Sequence, residues 1–418
     1  MRYRNVKRLA LIAVTAALVT ATLAASAAGL LFGPRKNKDQ TVTITQEEYD
    51  RLKRFDRLDT MLQMVDAMYY EEPDVDAMLE YAAIGLMVGL DDPYSFYYTP
   101  ESYESMNESV EGTYAGIGTQ LIVDLNDYLM TVTRVFKNSP AEKAGVLAGD
   151  KIIGVDGVGY TGYEQNQAVA AMRGTPGTQV TITVLRGEET MDLPVERAQI
   201  EMNYAEYEML EDGIGYVIVY DFMGDAVQGF KEAVAYFEVQ GAKGMILDLR
   251  SNGGGLVTDA VQIADVLLPE GVIVSTEDRY GNRTEERSDE EMLGLPLAVL
   301  VNGYSASASE IVAGAVKDSG VGLLVGEKTF GKGIMQAVFP FQSDGAGMQM
   351  TVARYFTPSG VCIHGTGIEP DVAVEQAEDV QLRYGINNIP HDKDMQLQKA
   401  IEVVKEQMDA TPTANEIG

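Results

Sequence analysis

The stretch SASASEIVAG, residues 305–314, sets three serines on alternate positions before an apolar run that reads as a helix. A serine at a strand-to-helix turn is exposed, and the N–H of the next residue can face the oxyanion that forms when the serine attacks a carbonyl. The same residues have a plainer reading: Ser307-x-x-Glu310 is a capping box, in which the serine only satisfies free N–H groups at the helix start. Two other loops offer chemistry. In RSNGGGL, 250–256, consecutive glycines before a helix let N–H groups turn toward a ligand oxygen, as an oxyanion hole or anion site needs; a turn required for close packing has the same sequence. In GEKTFGKG, 326–333, the spacing approaches the phosphate-binding pattern G-x-x-x-x-G-K-[ST]. Gly333 lacks the hydroxyl that would hold magnesium, and the following residues read as a strand, so a nucleotide site is rejected. What remains is Lys332 between two glycines, either a solvated hairpin lysine or an amine aimed inward.

These loops gain meaning together. From residue 213 onward strands (216–222, 245–249, 297–301, 323–325) alternate with helices (226–239, 256–268, 311–317), which implies a mainly parallel sheet covered by helices. Active sites in such sheets gather in the loops after the strands. A glycine loop, a serine and a lysine after successive strands would bring oxyanion donors, nucleophile and base to one sheet end. A lysine desolvated in an apolar pocket loses proton affinity, so its neutral amine can take the serine proton. Neither of the two histidines offers a convincing base, since His391 follows Pro390 in a polar tail and His364 sits in the turn-like HGTGIEP. A Ser-His hydrolase using His364 is the alternative enzyme. Neither histidine has the ligand-type neighbours of a zinc site, and no metal or cofactor is expected.

The rest of the 418 residues must position this end. Residues 41–107 read as a packed helical module, with a second apolar helix over 75–90 that stops at Asp91-Asp92-Pro93. Short alternating runs bounded by Gly, Asn and Pro make 108–198 a small β-rich domain, interrupted by one helix over 163–173. The formal net charge of −31 disfavours nucleic acid as a partner, and the single Cys362 excludes an intramolecular disulfide. Four bases in the first eight residues precede twenty-four uncharged residues, 9–32, long enough to span a bilayer. Residues 1–40 therefore read as a membrane anchor, with a cleaved signal peptide as the competing reading, and either makes the protein extracytoplasmic.

The ordered motifs LDDPYS (90–95), GTYAGIGTQL (112–121), NSPAEKAGVLAGDKIIGVDG (138–157), DLRSNGGGL (248–256), SASASEI (305–311), GEKTFGKGIMQ (326–336) and GIEPDV (367–372) resemble the carboxyl-terminal processing peptidases, or tail-specific proteases, over about residues 60–375. The resemblance implies an α/β, crotonase-like protease core (199–376), an inserted PDZ domain (108–198), and helical N- and C-terminal segments (41–107, 377–418) that dimerise. It implies Ser307 as nucleophile, Lys332 as base and Gln336 as the residue that orients the amine. Gly254, Gly255 and Ala308 would supply the oxyanion hole, with Glu310, Asp318 and Thr329 supporting the site. The loop Tyr114-Ala115-Gly116-Ile117-Gly118 would capture the carboxylate of a substrate's free apolar C-terminus, and Arg173 matches an arginine linked to gating. The alternative from a different class is a membrane-tethered PDZ binding protein with an inactive or partner-dependent core.

Overall fold

The computed structural model describes residues 42–410, apart from 112, 124–126, 137, 148, 202, 343, 378–379, 382–383, 385 and 387–388. The expected anchor lies outside the described residues; among them no helix is long and apolar enough to cross a membrane. The chain divides into two compact units, one ending at Met78 and one starting at Leu79.

The first unit holds α1 (Gln46–Lys53) and α2 (Asp56–Met68). Thr45 starts α1 with a capping box, its N–H donating to Glu48 Oε2 at 2.8 Å and its Oγ1 accepting from Glu48 N at 3.2 Å. The expectation of a packed module is corrected here, because no residue of α1 or α2 is buried and Leu52, Phe55, Met61 and Met64 are exposed. A third helix, α3, covers Val75–Val88.

The second unit is built on a six-stranded sheet in the order β10-β11-β12-β15-β16-β19, comprising Ala205–Met209, Ile214–Val219, Gly244–Asp248, Leu297–Val301, Gly322–Gly326 and Val372–Ala373. It is parallel from β11 to β19, with β10 antiparallel at the edge. β11, β12 and β15 are buried at every position, which is why they read as unbroken apolar runs. Alternate residues serve opposite faces. Val217, Leu247 and Val299 pack under α7 (Ala226–Gln240), α8 (Val257–Leu267) and α9 (Ala308–Ser319). Ile218, Ile246 and Leu300 pack against Leu397, Ala400, Val403 and Val404 of α10 (Met395–Ala410). The C-terminal helix is thus a layer of its own chain's core, a place the sequence reading did not give it.

Above this sheet lies a second, antiparallel one that the sequence reading missed: β1 (Phe96–Tyr98), β18 (Gly347–Phe356), β13 (Gly271–Asp278) and β14 (Arg283–Ser288) in that order, with β17 (Ile334–Pro340) paired to β18. The β-rich insert has its own core, including Met130, Ile152, Ile182 and Val184. Its strands β3 (Thr119–Val123), β4 (Met130–Val135), β5 (Lys151–Val155), β7 (Gln179–Arg186) and β8 (Glu189–Glu196) form one sheet, to which β6 (Val158–Gly159) adds at β5. β2 (Thr113–Gly116) pairs with β9 (Ala198–Glu201). The expected helix is α6 (Gln165–Met172), and a second short one, α5 (Pro140–Ala144), is added, capped by Ser139 and closed by left-handed Gly145. The remaining helix, α4 (Pro100–Glu111), follows β1.

At the end of β12 the buried Arg250 joins the sheet to the C-terminal helix. It donates to Asp248 (Nη2–Oδ2 2.6 Å) and to Asp394 at the start of α10 (Nη2–Oδ2 2.8 Å), while Tyr216 donates to Asp248 at 2.7 Å. Arg250→Met should strand two buried carboxylates and cost about 3–5 kcal/mol, read as a lower urea midpoint. An unchanged midpoint would show that the network does not hold α10 to the sheet.

Candidate active site

The three serines have different fates. Ser305 and Ser309 are wholly buried, and their hydroxyls donate to Leu249 O at 2.7 Å and Asn252 O at 2.9 Å. Both fasten the turn after β15 to the turn after β12. Ser307 is partly exposed, and its hydroxyl donates to no group among the described residues. Its backbone, at φ 58° and ψ −114°, departs from the extended conformation of an ordinary N-cap. Such a conformation costs a non-glycine residue about 1–3 kcal/mol and recurs at functional sites.

Glu310 is the centre of the site. It is wholly buried. Its Oε2 accepts from the backbone N–H of Ser307 at 2.9 Å and of Lys332 at 2.8 Å; Oε1 accepts from Thr329 Oγ1 at 2.6 Å and Gly331 N at 2.7 Å. The capping carboxylate expected from sequence therefore serves a second loop as well. Thr329 Oγ1 accepts in turn from Ile368 N at 2.7 Å. On the carbonyl side, the Tyr355 hydroxyl from β18 lies 3.0 Å from Ser307 O and also bonds Lys332 O. Burial first, then the nearby acids, raise the Tyr355 pKa well above its ordinary value, so it remains a donor.

The Lys332 amine lies over the Tyr94 ring, 4.6 Å from its centroid, and makes no hydrogen bond or ion pair among the described residues. Burial lowers its pKa, against the opposing charges of Asp92 and Glu310. Asp92 and Tyr94 belong to the motif LDDPYS, to which sequence reasoning gave no role. Asp92 accepts from Ser95 Oγ at 2.6 Å and Tyr94 N at 3.0 Å. Gln336 donates from Nε2 to Thr351 Oγ1 at 3.2 Å, and the Thr351 N–H donates to Ser95 Oγ at 3.0 Å, the same hydroxyl that bonds Asp92. Gln336 is thus beside the lysine's surroundings without bonding the amine in this conformation. His364 is exposed.

The glycine loop meets the serine turn directly. A Cβ on Gly254 would fall 2.8 Å from Ser307 Cβ, and one on Gly255 would fall 2.4 Å from Phe222 O; both residues also have positive φ. Gly254 N–H already donates to Asn252 Oδ1 at 2.9 Å, so Gly254 serves close approach rather than as a free donor. The N–H of Ala308, first residue of α9, has no intrahelical acceptor, and no acceptor meets that of Gly255 among the described residues. Asp318 is corrected: it lies at the opposite end of α9, about 16 Å along the axis from Ser307, where it accepts from Ser359 N at 2.9 Å.

The β-rich domain presents a groove of about 340 Å³ whose lining includes Ile117, Leu121, Val169 and Met172. Tyr114, Gly116 and Arg173 line one part of it, and Tyr204, Asp221 and Met223 of the core line another. Burial raises the Asp221 carboxyl to about 7, with Arg134 opposing, a feature that no sequence motif marked.

Glu310→Gln replaces one carboxylate oxygen by an NH₂ that must face two donors. The expected result is a loss of at least about 100-fold in kcat, because misplacing a catalytic group by about 1 Å has that scale of effect. Steady-state cleavage kinetics check it, with near-ultraviolet circular dichroism to confirm the fold.

Residues 213–374 match the family model for peptidase family S41, and residues 131–186 match a PDZ domain model. The chain is 36% identical over 350 residues to the carboxy-terminal-processing protease of Bartonella bacilliformis, covering 81% of this chain and 78% of that one. It is 35% identical over 334 residues to the carboxy-terminal processing protease CtpA of Bacillus subtilis, covering 79% and 71%. Among solved structures it is similar to the photosystem II D1 C-terminal processing protease, at 31% identity and TM-score 0.52, covering 79% of this chain and 94% of that one. With the S41 core, the PDZ domain and these relatives, the chain belongs to the carboxy-terminal processing proteases of peptidase family S41, and is a serine protease.

Proposed function

We propose that the protein is an extracytoplasmic endopeptidase that receives the free apolar C-terminus of a protein substrate in its PDZ groove and cuts it with Ser307 as nucleophile and Lys332 as base. The observation that carries this reading is the shared Glu310 carboxylate, which ties the strained Ser307 to the loop of a desolvated lysine. The neutral amine leaves the Tyr94 ring, takes the Ser307 proton as Oγ attacks the peptide carbonyl, and returns it to the leaving amine. Water then releases the acyl group by the same exchange. Gly255 and Ala308 N–H groups receive the oxyanion. Gln336, whose Nε2 is held by Thr351, keeps its Oε1 for the approaching amine. The groove takes the substrate terminus by strand addition beside β3.

The uncharged run over residues 9–32 supports secretion or anchoring outside the cytoplasm. The exposed apolar residues of α1 and α2 support dimerisation through the N-terminal helices. α10 spends its apolar face on its own sheet, which leaves the C-terminal segment a smaller part in any dimer.

Ser307→Ala and Lys332→Ala should both abolish cleavage of an unfolded protein with an apolar C-terminus; activity retained in Lys332→Ala would instead support His364 as base. Cleavage by the parent should rise with pH through an apparent pKa below that of a free lysine amine, since only the neutral amine accepts the proton. Asp92 favours the charged amine, so Asp92→Asn should lower the lysine pKa further and move the rising limb to lower pH. A limb that stays put or moves up would remove Lys332 as its source.

A further inference from the structure

The turn at the end of the groove runs from Gly116 through Ile117 and Gly118 to Thr119, the first residue of β3. In the reading above, its backbone N–H groups receive the substrate carboxylate. In the structure they already serve an internal guest. The Tyr114 side chain lines the groove at this turn, and its hydroxyl lies by the N–H groups of Thr119 and Gly118, which hold its pKa down against burial. The ring is laid against Gly116, where a Cβ would come within 2.8 Å of Tyr114 Cε2. The Arg173 guanidinium lies 5.3 Å from the ring centroid, and a 2.7 Å ion pair ties it to Glu108 of α4. Pairing of β2 with β9 sets the Tyr114 backbone opposite Ile200.

We infer that Tyr114 is a displaceable internal occupant of the carboxylate-binding turn, so that a substrate C-terminus binds by exchanging its carboxylate for the Tyr114 hydroxyl. This rests on the groove being the receptor for a free C-terminus. The exchange has a favourable direction. A carboxylate makes charge-assisted hydrogen bonds about twice as strong as those of a neutral hydroxyl. Burial raises the Tyr114 pKa to about 12, with the two N–H groups and Arg173 opposing, so at neutral pH the occupant is the neutral phenol. The occupied turn reduces apparent affinity to its intrinsic value multiplied by the fraction of molecules in which the turn is vacant.

The test is fluorescence anisotropy with a labelled ten-residue peptide ending in Leu-Val-Ala, as free acid and as C-terminal amide, on the Ser307→Ala protein so that nothing is cut. Adding Tyr114→Phe keeps the ring and removes the hydroxyl, and should tighten binding of the acid about three- to tenfold, the scale of one or two neutral hydrogen bonds. Glu108→Gln, which frees Arg173 without touching the turn, should shift affinity the same way by a smaller factor. Unchanged thermal midpoints confirm that both variants fold. If the parent prefers acid to amide but Tyr114→Phe binds the acid equally or more weakly, the internal occupant is refuted and the groove reading stands. If the parent binds acid and amide alike, the groove reading fails and the inference falls with it.

Discussion

One buried carboxylate holds the two candidate catalytic loops together. Glu310 takes N–H groups from the serine turn and from the lysine turn on a single oxygen, with Thr329 and Gly331 on the other. Burying a carboxylate is costly unless it is well hydrogen-bonded, and four donors meet that condition. The arrangement also sets geometry, because neither loop can shift without breaking a charge-assisted bond. Tyr355 repeats the constraint on the carbonyl side of the same two residues. Ser307 can therefore be kept in a backbone conformation that it would not adopt alone.

The parallel sheet gives these loops a common end, and Arg250 fixes that end to α10. The surroundings of Lys332 come from elsewhere in the chain. Asp92 and Tyr94 arrive from the segment before β1, and Thr351 from β18. The stretch from Asp92 to Glu108 meets Lys332 at one end and Arg173 of the groove at the other. Groove and amine are thus in contact with one short piece of chain.

Much of this was legible in the sequence, for identifiable reasons. β11, β12 and β15 are buried on both faces, so their composition announced a parallel sheet. The second sheet was not legible, because β14 is RTEERS and exposed at all but its last position, with no apolar alternation to read. The family resemblance picked out Ser307 as nucleophile and Lys332 as base, while spacing marked Ser307 and Glu310. Spacing showed only a helix cap for Glu310, since the bond to Lys332 N crosses 22 residues and depends on how two loops fold back. Tyr94 and Tyr355 gave no signal of their own, because an aromatic residue looks alike whether it fills a core or faces an amine. Asp318 illustrates the reverse failure: it matches a motif position and sits at the far end of its helix.

The central claim is that Ser307 and Lys332 act together once the amine leaves the Tyr94 ring. The most direct measurement is a crystal structure of the protein with a peptide boronic acid bound as a transition-state analogue. The account predicts boron bonded to Ser307 Oγ, one boronate oxygen facing the N–H groups of Gly255 and Ala308, and the Lys332 amine moved off Tyr94 to hydrogen-bond at Ser307 and Gln336. Boron on another residue, or an adduct on Ser307 with Lys332 still over Tyr94, would contradict it.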